Sequence, residues 1–322
     1  MSEFIRVPGN PVPEGGEVFC LETADGARLR SAVFSARNPR GGVVLLNGRS
    51  EFIEKYFEVV EDLRARRLSV ATMDWRGQGL SSRLLPISEK GHITDFGAFA
   101  ADLRLFTEEI ARKRFEGPLI LMTHSMGGVP ALQLLADGYD AFAGAILCAP
   151  MTRLTANPVK RFYARLAARA ACALGASRQS VLGVKEYSLE FEGNILTSDP
   201  VRHERFRALQ AAAPNATLGA PTYGWLKAAT DAIDDIHRPG RLDSIKIPIR
   251  IVSAARDMLV DSTDHRELAA RYERIDCVTV KDALHEILME RDAFRAQYWR
   301  AFDAFVEPLL AKSGDRETAA AS

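Results

Sequence analysis

The chain has 322 residues, and its 42 Lys and Arg side chains balance 42 Asp and Glu side chains, so the formal net charge is zero. This balance disfavours a nucleic-acid-binding protein, because such proteins concentrate positive charge. Hydrophobic residues make up 47%, an ordinary globular composition, and the length suits one large domain with a sizeable insertion.

Short apolar segments alternate with segments of helical periodicity in the first half of the chain. Residues 1–16 are rich in proline and glycine and are predicted to form an extended arm, and residues 17–36 form two strands joined at Asp25-Gly26. Predicted buried strands at 41–47, 68–75, 118–124 and 142–150 then alternate with predicted helices at 50–67, 95–113 and 129–138. This order is typical of a mostly parallel sheet with helices on both faces, and the opening hairpin is its antiparallel edge.

The alternation stops at Pro150, and residues 151–244 have the pattern of helices and loops without an apolar strand. It resumes with predicted strands at 245–257 and 276–280 and predicted helices at 261–272 and 291–311. The tail, residues 313–322, is small and polar and is predicted to be disordered. We therefore predict one α/β core, residues 17–150 and 245–312, that is interrupted by a helical insertion over residues 151–244.

The most specific motif lies between the predicted strand at 118–124 and the helix that follows. The segment THSMGG matches the G-x-S-x-G nucleophile elbow of the α/β-hydrolase fold around Ser125, except that Thr123 takes the place of the first glycine. The tight turn requires small residues at these two places, which Gly127 satisfies and a β-branched residue does not. A serine that caps an ordinary helix is the alternative. The strand-to-helix position favours Ser125 as a nucleophile.

A serine hydroxyl needs a base, and the chain order on this fold is serine, acid, histidine. His285 follows the last predicted strand by a short loop, which places its imidazole over the serine, whereas His265 is predicted to lie on a surface helix. Asp257 ends the preceding strand and is predicted to hold the imidazole tautomer. Asp261 and Asp282 are the fallback candidates for the acid.

An oxyanion hole requires backbone N–H groups aimed at the place where negative charge develops. Met126, the residue after the nucleophile, is predicted to supply one of them. The second is expected from the loop after the strand at 41–47, where Gly48 lets the backbone turn closely and Arg49 offers its N–H. A plain strand-to-helix turn would have the same sequence pattern.

Four stretches in a fixed order carry a family resemblance: LLNGRSEFIEKY; MDWRGQGLSSRLL followed by KGHITDF; THSMGG; and the pair VSAARDMLV and ALHEILME. Together they resemble the lysophospholipase and monoacylglycerol lipase branch of the α/β-hydrolase superfamily, and most of all the bacterial inner-membrane lysophospholipases. The resemblance covers about residues 40–130 and 245–295. We interpret Asp74, Arg76 and the glycines beside them as a structural turn, and Glu286 as a positioning residue.

Insertions at this point of the fold usually form a lid over the active site. The segment at 159–174 has an apolar face and a basic face at helical spacing. The apolar face holds Val159, Phe162, Tyr163, Leu166 and Ala170, and the basic face holds Arg161, Arg165 and Arg169. The arginines are either solvated or in contact with an anionic membrane, which would suit a lipid substrate.

These observations predict a serine hydrolase that cleaves carboxylic esters through an acyl-enzyme, of lysophospholipase or monoacylglycerol lipase type, with a small-molecule ester or lipid as substrate. The chemistry requires no metal and no organic cofactor. The alternatives are an amide-cleaving, aminopeptidase-like enzyme, an acyl transferase, or a non-catalytic binding module on a hydrolase scaffold. The serine at the elbow disfavours an aspartate-nucleophile dehalogenase or epoxide hydrolase, and an intact triad argues against a pure binding module.

The cysteines and the N-terminal segment bear on cellular location. Cys20, Cys148, Cys172 and Cys277 are scattered without a C-x-x-C pair, so free thiols are expected. No basic start followed by an apolar run opens the chain, and no stretch approaches the roughly 18 apolar residues that span a bilayer. The sequence therefore predicts a cytoplasmic protein, peripheral at the inner membrane if the basic helix face contacts lipid.

Overall fold

An eight-stranded sheet organises the chain in the computed structural model, which describes residues 3–155, 157–182 and 190–320. The strands are β1 (Glu17–Glu22), β2 (Arg28–Phe34), β3 (Gly42–Leu46), β4 (Ser69–Met73), β5 (Leu119–His124), β6 (Gly144–Cys148), β7 (Ile249–Ala254) and β8 (Ile275–Val280). Their order in the sheet is β1-β2-β4-β3-β5-β6-β7-β8. β2 pairs antiparallel with β1 and β4, and the remaining pairs are parallel. The predicted mostly parallel sheet with an antiparallel edge is confirmed.

Helices flank this sheet. They are α1 (Phe57–Ala65), α2 (Gly97–Phe106), α3 (Arg112–Arg114), α4 (Gly128–Ala136), α5 (Pro158–Ala173), α6 (Pro200–Ala212), α7 (Tyr223–Ile236), α8 (Ser262–Arg271) and α9 (Asp292–Ala320). A π-helical segment, Thr107–Ala111, joins α2 to α3, and short 3₁₀ helices lie at Ile53–Tyr56, Ser125–Gly127, Pro214–Ala216 and Ile287–Met289. The structure continues α9 to Ala320, whereas the sequence predicts disorder from residue 313.

The central strands explain why the site lies where it does. β3, β4, β5 and β6 are buried along their whole length, so their sequences are continuous apolar runs rather than alternating ones. Because β5, β7 and β8 run parallel, the loops after them leave the same edge of the sheet. In open α/β sheets this carboxyl edge is where ligands bind.

The N-terminal arm is held on the core by two buried charges. The backbone N–H of Ile5 donates to Glu54 Oε1 at 2.9 Å, and Arg30 Nη2 donates to the carbonyl of Glu3 at 3.1 Å. Arg30 also pairs with Asp74, whose carboxylate accepts backbone N–H groups from two other segments. The turn that contains Asp74 and Gly79 is closely packed, since a Cβ on Gly79 would lie 2.3 Å from the Asp74 carboxylate. This packing agrees with the interpretation of the turn as structural.

The predicted insertion contains α5, α6 and α7, and these helices differ in how they contact the core. α7 contributes Trp225, Ile233 and Ile236 to the main hydrophobic core. α5 packs against α7 and buries only Ala168 among its own residues. Its helical content follows the sequence prediction, and its role as a lid stays a prediction.

Ion pairs fasten α6 to the core. Arg202 and Arg205 of α6 pair with Glu58 of α1 at 2.5 and 2.6 Å, and Arg295 of α9 pairs with the same carboxylate at 2.6 Å. Partial burial acts to raise the pKa of Glu58, but the three arginines outweigh it and lower that pKa to about 2. Glu58 therefore stays ionised at neutral pH and anchors α6.

No helix among the described residues is long and apolar enough to cross a membrane.

Candidate active site

Ser125 stands on a strained turn at the end of β5. Its φ is +49°, a left-handed conformation that a non-glycine residue adopts only when the surrounding structure enforces it. A 3₁₀ turn, Ser125–Gly127, leads from this residue directly into α4. The serine side chain thereby projects from the carboxyl edge of the sheet, as the elbow motif predicts.

The glycines after the serine are required by close contacts. A Cβ on Gly127 would lie 2.9 Å from the carbonyl oxygen of Asn47, and a Cβ on Gly128 would lie 2.5 Å from Pro150 Cβ. The same two Cβ positions lie 3.6 Å from the buried Thr123 side chain. The glycines are therefore required by Asn47 and Pro150, whereas Thr123 would be only in ordinary contact with a Cβ at either position.

The structure brings Ser125, His285 and Asp257 together. His285 Nε2 lies 2.9 Å from Ser125 Oγ, and His285 Nδ1 lies 2.7 Å from Asp257 Oδ2. Because an ionised carboxylate only accepts, Nδ1 carries the proton and Nε2 is left to accept the proton of the serine hydroxyl. The geometry is that of a nucleophile, a base and a group that orients the base.

Asp257 is held ionised by its surroundings. Its Oδ1 accepts the backbone N–H groups of Leu259 and Val260, both at 2.9 Å. Burial acts to raise the pKa of Asp257, but the hydrogen bond to His285 and these two N–H groups outweigh it, so the pKa lies below its usual value. The carboxylate is therefore fixed in charge and in orientation.

The other acid and base candidates lie in different settings. Asp261 caps α8 by accepting the N–H of Thr263 at 3.0 Å, and Asp282 is exposed on a turn. The prediction of a surface position for His265 is wrong: it is fully buried, and it bonds to Ser253 and to the carbonyl of Pro150. His265 shares a helix face with Leu268, and α8 packs that face on the sheet.

The loop after β3 lies against the nucleophile because β3 and β5 are neighbours in the sheet. A Cβ on Gly48 would lie 3.1 Å from Ser125 Cβ and 2.9 Å from Glu51 Oε2, so a larger residue would displace its neighbours. The side chain of Gln78 bridges this loop to the elbow, since it accepts the N–H of Ser50 at 2.8 Å and lies 3.5 Å from Met126 Sδ. The segments that carry the N–H groups of Arg49 and Met126 are therefore adjacent, and their role as oxyanion donors stays a prediction.

The side chain of Arg49 connects the same loop to the insertion. Its Nη1 donates to Ser50 Oγ at 3.0 Å, its Nη2 donates to the carbonyl of Gly219, and its guanidinium lies over the Trp225 ring at 5.3 Å. Through these contacts the segments before and within α7 are tied to the loop beside the nucleophile.

A group of buried charges next to the triad was not found by the sequence analysis, apart from Glu286. Glu51, Lys55 and His124 are each at most 5% exposed, and they pair with one another or with Glu286. The sequence feature that could have indicated these charges is the four-residue spacing of Glu51 and Lys55, which on a helix allows an ion pair. Charged residues are rarely buried, so the pattern by itself indicated a solvated helix face.

Comparisons with known proteins agree on one family. The sequence model described as serine aminopeptidase, S33, matches residues 37–292. Lysophospholipase L2 of Escherichia coli K12 is 29% identical over 308 residues, which cover 91% of this chain and 88% of the relative. A probable lysophospholipase L2 of Haemophilus influenzae is 28% identical over 266 residues, which cover 82% and 83%.

A solved structure shows the same fold. The chain superposes on a soluble variant of monoglyceride lipase from Saccharomyces cerevisiae, solved with a substrate analog, with a TM-score of 0.71. The identity is 20%, and the match covers 92% of this chain and 96% of the other.

Proposed function

The chain belongs to the α/β-hydrolase family described as serine aminopeptidase, S33, and on this premise we propose that it is a serine hydrolase that cleaves lipid carboxylic esters, of lysophospholipase or monoacylglycerol lipase type. The observation that carries the proposal is the hydrogen-bonded series Ser125–His285–Asp257, with distances of 2.9 and 2.7 Å. The lysophospholipases that match most of the chain support an ester substrate.

The proposed mechanism proceeds through an acyl-enzyme. Ser125 Oγ attacks the ester carbonyl while His285 Nε2 takes the hydroxyl proton, and Asp257 stabilises the imidazolium that forms. The N–H groups of Arg49 and Met126 hold the oxyanion of the tetrahedral intermediate. His285 then protonates the leaving alcohol. In the second half-reaction it takes a proton from the attacking water and returns it to Ser125 Oγ as the fatty acid is released.

A panel of substrates tests the bond that is cleaved. We expect turnover of p-nitrophenyl esters, with lysophosphatidylcholine or monoolein as lipid substrate, because the relatives that match most of the chain are lysophospholipases. Amino-acid p-nitroanilides serve as the comparison, since the description of the family names an aminopeptidase. Hydrolysis of the anilides alone would replace the ester proposal by the amide-cleaving alternative.

The structure changes the proposed contact with membranes. Arg165 and Arg169 of α5 pair with Asp234 and Asp231 of α7 at 2.6 and 3.1 Å, so both charges are matched within the protein, although the Arg169 side chain is still 56% exposed. Contact of these arginines with anionic lipid therefore stays a prediction, which their ion pairs make less favourable. The apolar face is also directed to solvent: Val159, Phe162, Tyr163 and Leu166 are 53–62% exposed.

We propose that this apolar face contacts a phospholipid surface without requiring anionic lipid. A row of exposed aromatic and aliphatic side chains is typical of helices that lie in the membrane interface. Since the neighbouring arginines are already paired within the protein, burial of apolar area rather than charge would drive the contact.

A vesicle-binding measurement checks this contact. We expect Phe162→Ser with Leu166→Ser to weaken partitioning to phosphatidylcholine vesicles roughly 30-fold, from about 1 kcal/mol per side chain that is no longer buried in lipid. Arg165→Gln with Arg169→Gln is the matched control on the same helix and should leave binding within about twofold. Equal binding of the serine variant and the unmodified protein would contradict the proposal, as would a loss confined to the arginine variant.

A further inference from the structure

Four buried charged side chains form a connected group beside the triad, which we call the Glu51 cluster: Glu51, Lys55, His124 and Glu286. Their side chains are 5%, 1%, 3% and 9% exposed. The mechanism above uses none of them. Buried charges are costly unless each is paired, so a cluster at this place requires a physical account.

Glu51 is the centre of the cluster. Its Oε2 accepts the backbone N–H of Gly48 at 2.5 Å and the hydroxyl of Tyr56 at 2.7 Å, and it lies 3.1 Å from His124 Nδ1. Its Oε1 accepts from Lys55 Nζ at 2.7 Å. Both carboxylate oxygens are thus engaged.

Lys55 extends the cluster to the loop that carries the catalytic histidine. Its Nζ donates to Glu286 Oε1 at 2.5 Å and lies 4.4 Å from the centre of the Phe206 ring of α6. Glu286 also donates its backbone N–H to the carbonyl of Leu196 at 2.8 Å. The ammonium group therefore joins the carboxylate of Glu51 to the residue that follows His285.

His124 completes the cluster through both of its ring nitrogens. Its Nδ1 faces the Glu51 carboxylate and its Nε2 lies 3.4 Å from the carbonyl of His285, so both ring nitrogens face acceptors and both are satisfied only as N–H. Burial acts to lower the pKa of His124, but Glu51 outweighs it and raises that pKa. Two carboxylates, one ammonium and one imidazolium then sum to zero charge.

We propose that Glu51 is a positioning residue that sets three catalytic segments relative to one another; the proposal rests on the proposed hydrolase function. Three of the residues that Glu51 reaches, directly or through Lys55, adjoin a residue of the proposed catalytic machinery in the chain. The pairs are Gly48 with Arg49, His124 with Ser125, and Glu286 with His285. One carboxylate thereby fixes the oxyanion loop, the elbow and the histidine loop.

Replacing Glu51 by glutamine tests this role. In one orientation the glutamine NH₂ faces the Lys55 ammonium, and in the other it faces Gly48 N–H, so donor meets donor either way. Outright loss of an oxyanion donor costs about 10²–10³ in kcat, and a displaced loop should cost less. We expect kcat for a p-nitrophenyl ester to fall about 10- to 100-fold with KM within about twofold. Ki for a trifluoromethyl ketone, a tetrahedral analog, should rise by the same factor as kcat/KM falls.

Glu54→Gln is the matched control. Glu54 lies on the same 3₁₀ helix, is fully buried and pairs with Arg30, so its replacement also breaks a buried ion pair. We expect a lowered Tm for both variants, but an unchanged Ki for the Glu54 variant. If the Glu51 variant loses stability and keeps its Ki, the cluster is only structural and the inference is overturned.

A second variant covers the case in which Glu51→Gln does not fold. Glu286→Gln weakens only the link through Lys55, and we expect a parallel change of about threefold to tenfold in kcat and Ki, smaller than full loss of a donor. An unchanged Ki in that variant overturns the inference. Fluorophosphonate labelling of the unmodified protein tests the hydrolase function separately from the positioning role. If the protein is not labelled, the hydrolase function itself is contradicted. If it is labelled but Ki is unchanged in the variants, only the positioning role is contradicted.

Discussion

Ser125→Ala should lower kcat for a p-nitrophenyl ester by about 10⁶-fold, the scale of loss seen when a triad nucleophile is removed. The hydroxyl at 2.9 Å from His285 Nε2 is the atom proposed to form the acyl-enzyme, and alanine leaves His285 without a proton to take. Labelling by a fluorophosphonate probe should disappear together with turnover. Both are read from purified protein, by spectrophotometry and by gel fluorescence.

The fold should survive this change. Alanine meets the same backbone strain at φ +49° as serine does, so Tm is expected to move by only a few degrees. Ser35→Ala serves as the control, because Ser35 is exposed at the end of β2, and it should keep full activity and labelling. Retained esterase activity in the Ser125 variant would refute Ser125 as the nucleophile and, with it, the proposed mechanism.

Asp257→Asn should lower kcat by about 10⁴-fold with little change in structure, because asparagine at this place of a triad leaves the histidine in the wrong tautomer. The orientation of the new amide is dictated by the backbone: Oδ1 accepts two N–H groups at 2.9 Å, so the amide oxygen takes that place. The NH₂ group then faces His285 Nδ1 and donates to it. His285 carries its proton on Nε2 instead and cannot accept one from Ser125.

Asp261→Asn is the control for this prediction, since Asp261 also follows β7 but caps α8. We expect that variant to keep kcat within about twofold and to lose at most about 1 kcal/mol of stability, the usual scale for a weakened cap. Steady-state kinetics on one ester, with Tm measured in parallel, distinguishes the two. A normal kcat for the Asp257 variant would mean that another group orients the histidine.

Much of the fold could be predicted from local patterns. Continuous apolar runs such as GVVLL and GAILC indicate strands buried on both faces, and their alternation with amphipathic helical segments favours a parallel sheet between helix layers. Ser125, Asp257 and His285 could be placed because each follows a strand, and parallel strands end at one edge. The structure brings these three side chains to within hydrogen-bonding distance.

The tertiary structure alone decided which polar residues are buried and which helix faces turn inward. Glu51 and His124 look like ordinary polar residues in the sequence, because they pair with each other across 73 residues, and Lys55 pairs with Glu286 across 231 residues. The two faces of α5 were visible in the sequence, but Asp231 and Asp234 lie more than sixty residues from their arginine partners. Periodicity determines that a helix has two faces; the charges and shapes that meet it in three dimensions determine which one faces solvent.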